Sequence, residues 1–126
     1  RRTSLDGADY RRVADVFLAV GHRAASFDLP KHGERADAYG KGLVGMAAAM
    51  EAGEDVFADV QATGKALLDA LTERGYLTCG FAVFNGVSRG GLSALHAMAS
   101  DERVLGCAVH APVTDLPTLR EFSLLS

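Results

Sequence analysis

The sequence predicts an α/β fold, a three-layer α/β/α arrangement on a mostly parallel sheet. Three observations predict it. Segments of helical apolar spacing alternate with short apolar runs in the order helix, strand, helix, strand, helix, strand, the pattern of strand–crossover–strand units with parallel neighbours. The strand candidates show little alternation of apolar with polar residues, as strands covered on both faces require. One of them, Phe81-Ala82-Val83-Phe84-Asn85, runs straight into Gly86-Val87-Ser88-Arg89-Gly90-Gly91, and a helix-forming run follows at once.

The first element is an amphipathic helix from Asp6 to Gly21. Tyr10, Val13, Ala14, Phe17 and Leu18 recur at helical spacing, Asp6 is placed to cap the start, and Gly21 to end it. Arg11 and Arg12 fall on the opposite, solvated face. Ala24-Ala25-Ser26-Phe27-Asp28-Leu29 reads as a short strand that Pro30 stops. The polar, turn-rich stretch from Pro30 to Gly42 is a loop, Leu43–Met50 a short helix, and Gly53 a breaker. From Glu54 to Arg74 the helical pattern is the clearest in the chain, with Val56, Phe57, Val60, Leu67, Leu68 and Leu71 on one stripe and Gly75 as its stop. After the strand at 81–85, a helix is expected from about Gly90 to Ser100, a strand over Val104–Val109, and a last helix within Thr114–Phe122.

The 126 residues amount to one domain or part of one. At 48% hydrophobic and 23% charged, the chain is globular rather than disordered. A net charge of -3 offers no basic field for nucleic acid or an anionic membrane. The apolar runs are too short to span a bilayer, and no signal peptide opens the chain. Cys79 and Cys107 lie in or beside strand-like runs and read as buried free thiols rather than a disulfide framework or zinc site. This fits a reducing, cytoplasmic compartment, with a lost leader left open. No phosphate-binding or dinucleotide-binding glycine loop is present. The chain opens on Arg1 and stops at Ser126 without a closing turn, so residues 1–126 are expected to be a single partial domain truncated at both ends.

Gly86-Val87-Ser88-Arg89-Gly90, between strand and helix, is the context of a nucleophile elbow. The serine must sit on a sharp, strained turn with its hydroxyl clear of the sheet. Glycines two positions either side, Gly86 and Gly90, keep neighbouring backbone from colliding. The helix that follows aims its free amides at the space where negative charge develops during acyl transfer. An ordinary serine in a glycine-rich turn is the alternative.

With that elbow placed, the chain resembles an α/β-hydrolase, and more narrowly its prolyl-oligopeptidase-like and dienelactone-hydrolase-like branches. Ser26-Phe27-Asp28-Leu29-Pro30-Lys31-His32-Gly33-Glu34-Arg35 is similar to the family's exit from its fourth strand. Gly86–Gly91 carries the elbow, and Ala111-Pro112-Val113-Thr114-Asp115-Leu116 resembles the exit from the sixth strand. The resemblance implies a partial α/β-hydrolase fold with Ser88 as nucleophile and the backbone amide of Arg89 as one oxyanion-hole donor. It also implies that the second donor precedes Arg1, that the catalytic histidine and acid follow Ser126, and that an isolated chain lacking the family's third strand is marginally stable.

A hydroxyl nucleophile needs a base within hydrogen-bond reach. His110, near the end of the sixth-strand equivalent, is the closest candidate by topology, with a satisfied core histidine as its alternative. Asp115 stands where some family members place their acid, and a turn or cap residue is the other reading. His32 belongs to the loop, His22 to the end of the first helix, and His96 lies roughly 12 Å along the helix from Ser88. Asp28 resembles a structural turn residue. The Arg89 side chain either pairs with Glu34 or Asp37, lies under the elbow, or faces a substrate carboxylate; Glu34, Arg35 and Asp37 otherwise read as a solvated loop. Met46-Ala-Ala-Ala-Met50 reads as core or a small cover.

The expected activity is that of a serine hydrolase, esterase or peptidase in type, cleaving a small-molecule ester or peptide-like substrate through an acyl-enzyme on Ser88, with the chain alone inactive. No metal or organic cofactor is implied, nor a nucleic-acid or membrane partner. The alternative is a non-catalytic fold unit or interaction fragment that keeps the elbow only as architecture.

Overall fold

The computed structural model describes residues 4–123. Its elements are α1 (Ala8–Ala19), α2 (Gly42–Glu51), α3 (Val56–Glu73), β1 (Ala82–Val87), α4 (Arg89–Ser100), β2 (Val104–His110) and α5 (Arg120–Ser123), with 3-10 turns at Ser4–Asp6 and Gly33–Arg35. The architecture is mixed α/β around one strand–helix–strand unit. β1 and β2 pair in parallel, from Ala82↔Val104 to Val87↔His110, with a register shift between Ala82 and Val83.

Both strands run further than their apolar residues alone suggest, because the ladder continues through Gly86, Val87 and His110. α4 lies on both strands and α3 lies on α4. Gly64 lies at this contact, where a Cβ would stand 3.5 Å from Ala97 Cβ and 3.6 Å from the Phe84 ring, ordinary packing distances. The stripe of α3 is buried at Val56, Val60, Gly64 and Leu68. Asp55 caps that helix by accepting from the Ala58 amide at 2.9 Å, and Gly75, at φ +66°, ends it. A second cluster joins Met46 and Ala49 of α2 to Val56, with Leu116 and Phe122 packed against it. The methionine run is therefore core.

Several expectations differ from the structure. Ala24–Leu29 forms no strand: the segment is irregular, and it pairs with neither open edge of the two-stranded sheet, so no ladder defines it. Arg23 Nη1 anchors its start by donating to the carbonyls of Gly75 and Tyr76 at 3.0 and 2.9 Å. The sheet accordingly has two strands among the described residues rather than three. The last helix is only Arg120–Ser123, because Pro117 disfavours helical geometry at Leu116 and breaks a helix begun at Thr114. α1 is capped by Gly7 rather than Asp6, which lies in the preceding 3-10 turn. Its apolar stripe is largely exposed; Ala14 is buried, whereas Tyr10, Phe17 and Leu18 are open to solvent. The thiols are free, but Cys79 is exposed in a turn outside β1 and Cys107 is half-buried. No helix among the described residues is long and apolar enough to cross a membrane.

Candidate functional site

Ser88 occupies the junction of β1 and α4, as the helix N-cap, with φ 53° and ψ −119°. Residues with a Cβ rarely populate that conformation, and holding one there costs about 1–3 kcal/mol. The backbone around it is tied on both sides. Ser88 N–H donates to His110 O at 2.9 Å, extending the β1–β2 ladder past the strand end. The Ser88 carbonyl accepts from Gly91 N at 3.0 Å and from Leu92 N and Val113 N at 3.2 Å each. Ser88 itself is exposed.

Two glycines make this turn possible, and one of them differs from expectation. A Cβ on Gly86 would stand 2.1 Å from Gly90 O and 2.2 Å from Gly90 C, so no side chain fits where helix and strand backbones meet. Gly90, expected to be equally constrained, would place a Cβ in open space. The second tight position is Gly91, whose Cβ would lie 3.0 Å from Pro112 Cβ and 3.2 Å from Pro112 Cα. The Gly90-Gly91 doublet was the only sequence signal for it.

The Arg89 amide begins α4 beside Ser88 and has no backbone partner among the described residues, as a first-turn amide should not. Its guanidinium makes no ion pair with Glu34 or Asp37. The side chain is buried, and Nη1 donates to Gly42 O at 3.0 Å and Pro30 O at 3.3 Å. Nη2 is buried without a partner among the described residues. Burial pushes the guanidinium below its ordinary pKa. Asp37 is instead engaged by a lysine of its own loop. Lys31 Nζ holds Asp37 at 2.5 Å and Glu54 at 2.7 Å, and stands 4.8 Å from the centroid of the Tyr39 ring. The hydrogen bond to Asp37, then that to Glu54, raises the Lys31 pKa, and the same bond from Lys31 lowers that of Asp37. Nor is Arg35 merely solvated. It reaches α3, donating to both carboxylate oxygens of Asp59 at 2.7 and 2.8 Å and to Thr63 Oγ1 at 2.9 Å. Sequence reasoning missed these anchors because partners 24 and 28 residues away carry no local signal.

Among the described residues none of the candidate relay side chains is hydrogen-bonded to Ser88 Oγ, although the His110 backbone lies beside it. The His110 ring is exposed, and Nδ2 of Asn85 donates to its Nε2 at 3.2 Å, which fits an imidazole protonated on Nδ1. Asp115 is exposed, its backbone oxygen accepting from Thr118 Oγ1 at 2.9 Å. His96 stacks on Phe57 with ring centroids 3.9 Å apart, and His22 packs edge-on to Phe17 at 5.7 Å. Asp28 lies in the irregular segment before Pro30, its carboxylate accepting from the Glu34 amide at 3.2 Å. His32 lines a surface hollow of about 320 Å³ with Gly33, Lys41 and Gly42. No group of His, Cys, Asp and Glu among the described residues is arranged to hold a metal ion. The arrangement offers a strained, exposed hydroxyl beside a free helix amide, without a base hydrogen-bonded to it among the described residues. Compared with protein-family models, curated proteins and solved structures, the chain finds no match.

Proposed function

We propose that the chain carries the nucleophile of a serine hydrolase that cleaves a small-molecule ester or peptide-like amide through an acyl-enzyme on Ser88. The observation that carries this reading is Ser88 at φ 53°, ψ −119°, held by four backbone hydrogen bonds over a glycine that admits no Cβ. Strain of this kind gathers at functional sites. Ser88 Oγ attacks the carbonyl carbon as a base removes its proton, the carbonyl oxygen becomes an oxyanion facing the Arg89 amide, and the protonated base then delivers its proton to the leaving group. Water deacylates the serine by the same route. The base and its acid come from segments other than the described residues, and the strand–helix–strand unit is part of a three-layer α/β-hydrolase domain working in the cytoplasm without a cofactor.

The test is fluorophosphonate labelling of residues 1–126 and of the product of the whole reading frame that contains them, each beside Ser88→Ala, with circular dichroism to show folding. The whole product labels, the substitution abolishes labelling, and folded residues 1–126 alone do not label. A folded whole product that fails to label would leave the second reading, a non-catalytic unit that keeps the elbow as architecture. That reading draws on the missing hydrogen bond between Ser88 and a base among the described residues.

A further inference from the structure

The stretch from Pro30 to Gly42 leaves and rejoins the body of the molecule at nearly one point. Gly42 N–H donates to Lys31 O at 2.6 Å, closing the neck of a compact Ω-type loop. The guanidinium of Arg89 sits on that neck, Nη1 donating to Pro30 O on the entering side and Gly42 O on the leaving side. One side chain, 8% exposed, thus grips both ends of a loop more than forty residues away in sequence. Its own backbone amide follows the serine of the elbow. Lys31 within the neck takes φ 58°, a strained value for a residue with a Cβ, so the closure is not the relaxed course of the chain.

Filling this space does not require a cation. Arg89 is buried without a counter-charge, and its Nη2 has no partner among the described residues. An apolar side chain of similar length would avoid both penalties. What an apolar side chain could not do is hold two carbonyls from opposite ends of a loop with a planar, fixed donor set.

We propose that Arg89 is a positioning residue that couples the Pro30–Gly42 loop to the nucleophile elbow, so that the reactivity of Ser88 depends on closure of the loop neck. The coupling rests on the serine-hydrolase reading, whereas the closure itself does not. The loop presents the hollow lined by His32, Gly33, Lys41 and Gly42.

The experiment compares Arg89→Met and Arg89→Lys with wild type in the product of the whole reading frame. It reads tryptic cleavage after the exposed Lys41, the melting temperature, and the rate of fluorophosphonate labelling of the folded protein. Arg89→Met is expected to speed cleavage and slow labelling at least tenfold each, although the amide beside Ser88 is kept. Arg89→Lys, able to hold one carbonyl, recovers part of both. Wild-type labelling by folded Arg89→Met, or unchanged cleavage at Lys41, overturns the coupling. A lower melting temperature with unchanged labelling shows a structural role only and also overturns it. If Arg89→Met does not fold, Arg89→Lys decides: unchanged rates sink the proposal, and a joint shift supports it. Wild type that does not label overturns the hydrolase reading and the coupling with it, and cleavage at Lys41 still judges the closure.

Discussion

At Ser88, strain and chemistry can be separated by substitution. Glycine tolerates φ 53°, ψ −119° at no steric cost, so Ser88→Gly is expected to stabilise the fold by about 1 kcal/mol, read as a rise in melting temperature, while Ser88→Ala keeps the strain. The glycines around it diverge in the same way. Gly86→Ala drives a Cβ to 2.1 Å from a backbone oxygen that cannot turn aside, and is expected to cost about 3 kcal/mol or more. Gly90→Ala meets nothing within 4 Å and sits inside α4, where alanine is worth about 0.5–1 kcal/mol over glycine. Paired thermal melts check both, and a Gly90→Ala protein as damaged as Gly86→Ala would contradict the geometry. Ser88 and Gly86 were legible because their type and spacing encode a local turn. The roles of Gly90 and Gly91 were not, because which one meets a neighbour depends on Pro112, brought in by a strand that follows later in the chain.

Among elements, the corner where α4 turns into β2 is held by charge. The Asp101 carboxylate accepts from Arg103 N at 3.0 Å, Nε at 2.9 Å and Nη2 at 2.6 Å, and Arg103 also reaches Asp69 on α3 at 2.8 Å. The Arg103 hydrogen bond holds the Asp101 pKa down to about 2 from its ordinary 3.8. A depressed carboxyl stabilises the folded state above its unfolded pKa, and that contribution fades as pH falls through 3.8 toward 2. Wild type should therefore lose melting temperature over that acid range, and Asp101→Asn should show a shallower loss from a lower start. Equal acid slopes would mean that the corner is not held this way. Helix spacing located α3 because its buried stripe, Val56, Val60, Gly64 and Leu68, is set by its own sequence. Ala24–Leu29 misled because a strand is defined by its neighbour, and an apolar run does not say whether it pairs with one.

For the molecule as a whole, coverage is uneven. α4 lies against the β1–β2 sheet, while Val83 and Val87 of β1 are 61% and 43% exposed and the apolar stripe of α1 faces solvent. The accessible surface is 7996 Å², against about 6,400 Å² for a compact monomer of this 13.2 kDa mass by the usual scaling. Residues 1–126 alone should bind a hydrophobic dye in their native buffer and unfold broadly, with self-association rising with concentration. A sharp, concentration-independent melt without dye binding would show that this surface is tolerated. The parallel pairing was legible in the alternation of helix and strand. The bare face was not, since a strand pattern expecting cover on both sides does not reveal which cover is in place.

The hydrogen bonds from Ser88 N to His110 O and from Val113 N to Ser88 O also set an order of events in time. A growing polypeptide can make β1 and begin α4, but it cannot fasten the serine in its strained shape until the chain has been extended through residue 113 and β2 has docked. Until then the hydroxyl belongs to an ordinary flexible turn. The strained conformation is thus withheld from the nascent chain and acquired only when a non-local contact closes, the slow kind of step in folding.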